Sequence, residues 1–128
     1  MHGLPKRSAA GAAAAYRRVD LDARIEASSG GALTLICLEE AVSALGQALL
    51  ALERAPDRAP VEPLSRVHGI ALWLARSVAS DNPLRGPMVQ FYGGLAATIM
   101  RNMRRASSGE LAQARDDFAD LLSAAKST

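Results

Sequence analysis

Apolar residues return along this chain at alternating steps of three and four, the spacing that lines up one face of an α-helix. A first stretch, from about residue 31 to 54, puts Leu35, Leu38, Val42, Leu45, Leu49 and Leu52 in one line, with Ser28 and Ser29 as N-cap candidates. It has to stop at the A-P-D-R-A-P segment, because Pro56 and Pro60 cannot continue a helix. A second stretch begins at Pro63, a residue suited to a first helical turn, and aligns Leu64, Val67, Ala71, Leu74 and Val78. Asp81-Asn82-Pro83 breaks it. A third, from Pro83 or Pro87 to Arg105, aligns Met88, Tyr92, Leu95 and Ile99, with Val89 and Phe91 widening the stripe. Ser107-Ser108-Gly109-Glu110 has the spacing of a capping box, in which Ser107 and Glu110 each satisfy an orphan amide. The helix it opens aligns Leu111, Ala114, Phe118, Leu121 and Ala125.

Ahead of these lies an alanine-rich piece with Tyr16, Val19 and Ala23 on one face and Leu21 and Ile25 on another, which predicts a further helical segment. Short loops between helices of similar length make sequential helices antiparallel neighbours. The expected fold is therefore all-α, an antiparallel up-and-down four-helix bundle with an additional N-terminal helical segment. Residues 14 to 126 form its single domain behind a flexible tail at 1 to 13.

Composition agrees with this. Apolar residues make up 49% of the chain but aromatics only 4%, so alanine and leucine dominate, which favours helix over sheet. A chain of 128 residues is one domain by size and buries roughly two-thirds of its unfolded surface, enough for a core without staples. The single cysteine, Cys37, cannot form an internal disulfide and acts within its apolar run as a small hydrophobe, consistent with a reducing cytoplasm. Lys6 and Arg7 precede a run of alanines, but alanine and glycine make too weak an apolar region for a secretory signal, and Arg17 and Arg18 follow at once. No continuous apolar run approaches the roughly twenty residues of a membrane span. The net charge of +2 is unevenly placed: about +3 over residues 1 to 24, −4 over 25 to 62, +5 over 63 to 108 and −2 beyond.

The residues with reactive or ligating side chains do not assemble into a reaction centre. His2 and His68 are far apart in sequence and lack further ligands at metal-binding spacing. Asp116, Asp117 and Asp120 lie on one helix without the inward Glu-x-x-His pairs of a di-metal bundle, which leaves a solvated face. Gly30-Gly31 lacks the lysine and preceding strand of a phosphate loop. Arg101, Arg104 and Arg105 suit the C-terminal end of a helix, where cations are favoured, and also have the chemistry to touch phosphate. No nucleophile, base and orienting group converge, so no enzyme, cofactor or metal is expected.

Two features are harder to place. Gly93-Gly94 lies inside the third helix, where each glycine costs about 1 kcal/mol relative to alanine. Close approach, by a neighbouring helix or by a bound segment, has to offset that. The first helix carries Leu33, Ile36, Cys37 and Leu50 besides its core line, covering more than half its circumference. Either that helix is central or its outer side meets a partner.

The stretch Y-R-R-V-D-L-D-A-R-I-E-A-S-S-G-G-A-L-T-L-I-C-L-E-E-A, residues 16 to 41, resembles the flagellar secretion chaperones of the FliS family: a tyrosine, an amphipathic stretch, a serine-led helix start and an apolar helix. P-M-V-Q-F-Y-G-G-L-A-A-T-I-M-R is similar to that family's later helix, with Phe91-Tyr92 in place of its Leu-Tyr core, and the closing helix with Asp116, Asp117 and Phe118 is also similar. The resemblance covers most of the chain from about residue 14. The sequence departs from the pattern where Gly30 replaces the helix-start proline, Leu38 an aromatic, Glu40 a glycine, and Gly94 the second aromatic of the later helix. A shorter fragment, Leu72-Trp73 followed by D-N-P-L at 81 to 84, is similar to FlaF, a small helical regulator of flagellin synthesis.

The first resemblance implies a cytoplasmic, non-enzymatic export chaperone that binds the disordered C-terminal segment of flagellin and prevents premature polymerisation. Tyr16, Ile25, Leu35, Leu38, Val42, Phe91, Tyr92 and Leu95 are the candidate contacts. An amphipathic tail can lay its apolar side chains into grooves between helices, at an ordering cost of about 2–5 kcal/mol that apolar burial must exceed. The N-terminal segment could cover the same grooves without a client. The flagellar export gate is a further expected contact, self-association through apolar surface a further option, and membrane insertion is not expected. The alternatives are a FlaF-like regulator acting through messenger RNA or protein, and a basic bundle binding nucleic acid through Arg101, Arg104 and Arg105.

Overall fold

The computed structural model describes residues 31–127. The expected N-terminal helical segment, the tail, Ser28, Ser29, Tyr16 and Ile25 lie outside the described residues. Those described are all-helical, with α1 at Gly31–Arg54, α2 at Val61–Ser77, α3 at Arg85–Arg104 and α4 at Ser108–Lys126, arranged as an antiparallel up-and-down bundle.

By compactness the chain divides into two units, Met1–Ile36 and Cys37–Thr128, the division falling within α1. Of the first unit the start of α1 is described, with Leu33 and Leu35 half-buried and Ile36 buried. The second unit holds the rest of α1 and the other three helices. In it α2 packs along α3, and α3 meets α4.

The ends of the helices follow from local chemistry. After α1, the chain turns through Pro56 with Arg58 N–H donating to the Ala55 carbonyl at 3.0 Å. Helix α2 starts two residues before Pro63, which sits in the first turn, where the missing N–H breaks no intrahelical bond. Between α2 and α3, Asn82 Oδ1 accepts from the Leu84 N–H at 2.8 Å, a side-chain turn that leads into α3 and leaves Pro87 in its first turn.

The core of the second unit is built from Leu38, Leu45 and Leu52 of α1, Leu64, Val67 and Leu74 of α2, Tyr92, Leu95 and Ile99 of α3, and Leu111 and Phe118 of α4, all buried. Each such side chain contributes about 1.5–3 kcal/mol on burial. In α1 the buried line also runs through Ala41, Ala44 and Ala48, each fully inaccessible, while Val42 and Leu49 are only half-buried. The alanine face points inward and the leucine line predicted from spacing straddles its edge.

Two polar residues are built into the interior. Arg66 on α2 donates to Glu40 and, at 3.0 Å, to Gln47 of α1, and at 3.3 Å to Glu62 one turn earlier in its own helix. A buried guanidinium needs that company, because an unpaired charge in the interior costs several kcal/mol. Asn102 on α3, with no exposure at all, is the other.

Candidate partner-binding site

The α3–α4 corner is organised by Asn102. Its amide nitrogen donates to the Thr98 carbonyl and to Glu110 Oε1, both at 2.9 Å, and its Oδ1 accepts the Ser107 N–H at 2.6 Å. Ser107 Oγ accepts from the Glu110 N–H at 3.3 Å, so the serine half of the expected capping box is present. The reciprocal half is not: Asn102 takes the Ser107 amide, and the Glu110 carboxylate is drawn to Asn102 and to Arg101 at 3.6 Å. A buried carboxamide with both donor and acceptor can hold both partners, which an exposed glutamate at that position cannot.

Along the seam from this corner runs an open groove. Leu95 and Ala114 line it together with Thr98 and Arg101 from α3 and Glu110, Gln113 and Asp117 from α4. Leu95 and Ala114 are otherwise buried and form its apolar floor, and the polar residues form its rims. Gln113 donates to Asp117 at 3.1 Å along one rim. One turn before Leu95, Phe91 stands 44% exposed, its ring centroid 6.3 Å from that of the buried Tyr92.

At the corner the groove opens into a second depression, lined by Arg101, Arg104, Arg105, Ala106, Ser107 and Glu110. Arg101 and Glu110 belong to both, their ion pair marking the junction. A third depression, between the end of α1 and the α3–α4 connection, is lined by Leu49, Leu52, Glu53, Pro56, Ala106 and Ser108.

The sequence-derived contacts distribute unevenly over this structure. Leu38, Tyr92 and Leu95 are core residues, Leu95 also reaching the groove floor; Leu35 and Val42 are half-buried, and Phe91 is exposed. Of the surplus apolar residues on α1, Ile36 and Cys37 are buried, Leu33 is half-buried and Leu50 is exposed, so most of that excess is taken up inside. Burial pushes the Cys37 thiol above its ordinary range, with the Glu40 carboxylate adding to the effect, and burial likewise raises the Tyr92 phenol. Both therefore stay neutral at physiological pH.

Gly93 and Gly94 are exposed, and a Cβ on either would meet nothing within 4 Å among the described residues. Of the two expected reasons for those glycines, close approach by a neighbouring helix is therefore corrected: none of the described helices approaches them. His68 is half-buried on α2, Asp116 and Asp120 are exposed, and among the described residues no three His, Cys, Asp or Glu side chains converge as a metal site would require.

Sequence reasoning missed Arg66, Asn102 and the groove itself. Arg66 and Asn102 left a signal, a polar residue inside an apolar stripe; Asn102 was hidden within a run read as basic. By length and composition α1 is long and apolar enough to cross a membrane, and 44% of its most apolar stretch is buried within the protein. No protein-family model, curated protein or solved structure matches the chain.

Proposed function

We propose that this protein is a cytoplasmic export chaperone of the FliS type, which holds the disordered C-terminal segment of flagellin and acts without catalysis. The observation that carries the reading is the open α3–α4 groove, apolar at its floor and polar along its rims, with Phe91 exposed one turn from Leu95. That is the form of a seat for an amphipathic segment, whose apolar face is buried while its polar face stays wet. The resemblance of residues 16 to 41 and of α3 to the flagellar chaperones supplies the identity of the client. The solvent-facing Phe91 is a client contact, whereas Leu38 and Tyr92 support the helices that present it.

The test is capture of flagellin by the purified full-length chain. Intact flagellin is expected to form a stoichiometric complex, and flagellin lacking its C-terminal segment to form none. Phe91→Asp is expected to lower affinity at least tenfold with an unchanged circular dichroism spectrum, the loss of one anchoring aromatic being worth about 2 kcal/mol or more. Because Leu38 is only 2% exposed, Leu38→Asp would unfold the core and report nothing about binding. Binding that survives deletion of the flagellin tail would remove the proposal.

A further inference from the structure

The groove and the arginine depression at its end share Arg101 and Glu110, so an extended ligand in one leads into the other. The depression is lined by three arginines against one acid. That acid, Glu110, is already held by Asn102 and Arg101. Arg104 and Arg105 are both exposed and have no acidic partner among the described residues. Cations finishing a helix are favoured by its dipole, but that accounts for their being cationic and not for their gathering in a concave site whose one acid is already paired.

We propose that this depression anchors the chain-terminal carboxylate of the segment lying in the α3–α4 groove, so that the segment runs parallel to α3 with its C-terminus at Arg104 and Arg105. The inference rests on the chaperone reading and adds a polarity and an anchor to it. Charge complementarity selects the occupant: a carboxylate is planar and is matched bidentately by the guanidinium fork. The end of a helical segment also carries a partial negative charge, which adds to that of the carboxylate. Among the described residues the rims beyond the junction carry Asp117 and Gln113 and no further cation, so the basic part of the groove lining is a spot at one end. A nucleic-acid backbone would need a track of cations, and a single terminal carboxylate needs only a spot.

The experiment is calorimetric titration of the full chain with a synthetic peptide of the flagellin C-terminal segment, made once with a free C-terminal carboxylate and once as the amide. The free acid is expected to bind roughly fivefold more tightly, as befits a partly exposed but bidentate ion pair. In the double variant Arg104→Gln, Arg105→Gln the acid should weaken to the level of the amide, while the amide is unchanged. Both substitutions are at exposed positions, so the helical spectrum should be retained. Equal affinity of the two peptides for the unaltered chain overturns the anchor and leaves the chaperone reading standing. If neither peptide binds, the chaperone reading falls and the anchor with it. Binding of an RNA oligonucleotide that is lost in the double variant, with both peptides indifferent to the substitutions, overturns the proposal in favour of nucleic acid.

Discussion

Asn102 shows how much one side chain decides in this protein. It satisfies the carbonyl of Thr98, the carboxylate of Glu110 and the amide of Ser107 from a fully buried position, so it ties the end of α3 to the start of α4 beside the groove. Asn102→Ala removes all three bonds and leaves the Ser107 amide without this partner, which is expected to cost about 1–3 kcal/mol in urea unfolding. Asn102→Asp keeps the acceptor for Ser107 but removes the donor and faces Glu110 with a second carboxylate. Burial and the like charge both raise the carboxyl pKa of the introduced aspartate above that in the unfolded chain, so the folded variant binds a proton more tightly and its deficit should shrink as pH falls. Equal stability of Asn102→Asp and the parent at neutral pH would show that the corner is held by something else.

At the scale of the helices, Gly93 and Gly94 make a sharp case. Both lie in the interior of α3, both are exposed, and among the described residues nothing stands where a side chain would go. Alanine at either position should therefore stabilise the free protein, by about 0.5–1 kcal/mol each, through helix propensity and a less flexible unfolded chain. Thermal unfolding checks this, and a loss of stability would mean that something packs against that face. The helices themselves were legible in the sequence because their ends are set by residues with strong local rules. Pro56 closes α1, Asn82 leads into α3, and Ser107 caps α4 within the predicted spacing. Rotation about the helix axis was less legible. In α1 the inward line passes through Ala41, Ala44 and Ala48, and alanine is equally at home on a helix surface, so spacing alone favoured the bulkier leucines. The site was legible only in part. Phe91 and Tyr92 are neighbours in sequence but differ by about 100° around the helix, which puts one in the core and the other outside. Which of the two is exposed depends on how α2 and α4 flank α3, and that information is spread over three segments of the sequence.

For the molecule as a whole, the question is what its outward-facing apolar side chains are for. Leu50, Val61, Leu72, Leu84, Phe91 and Met100 are exposed on the described surface, and exposed apolar side chains are in themselves ordinary on a folded protein. Phe91 differs because it stands one turn from the groove floor at Leu95, so a segment covering it also covers the groove. Under the chaperone reading that burial must appear as a property of the entire folded chain. Client binding removes apolar surface from water, so the binding enthalpy should become more favourable as temperature rises, a negative heat-capacity change. A ligand that binds the folded state alone also raises its stability, by about 2.7 kcal/mol at a hundredfold excess over Kd, equivalent to roughly ten degrees or more in Tm for a domain of this size. Phe91→Asp should lose only a small part of the parent's Tm when alone, because nearly half of the side chain is already in water, yet lose most of the client-induced rise in Tm. Scanning calorimetry of parent and variant, each with and without the flagellin tail peptide, separates the two effects. A peptide that binds with no heat-capacity change and an equal rise in Tm for both proteins would mean that the client is held somewhere other than the α3–α4 groove.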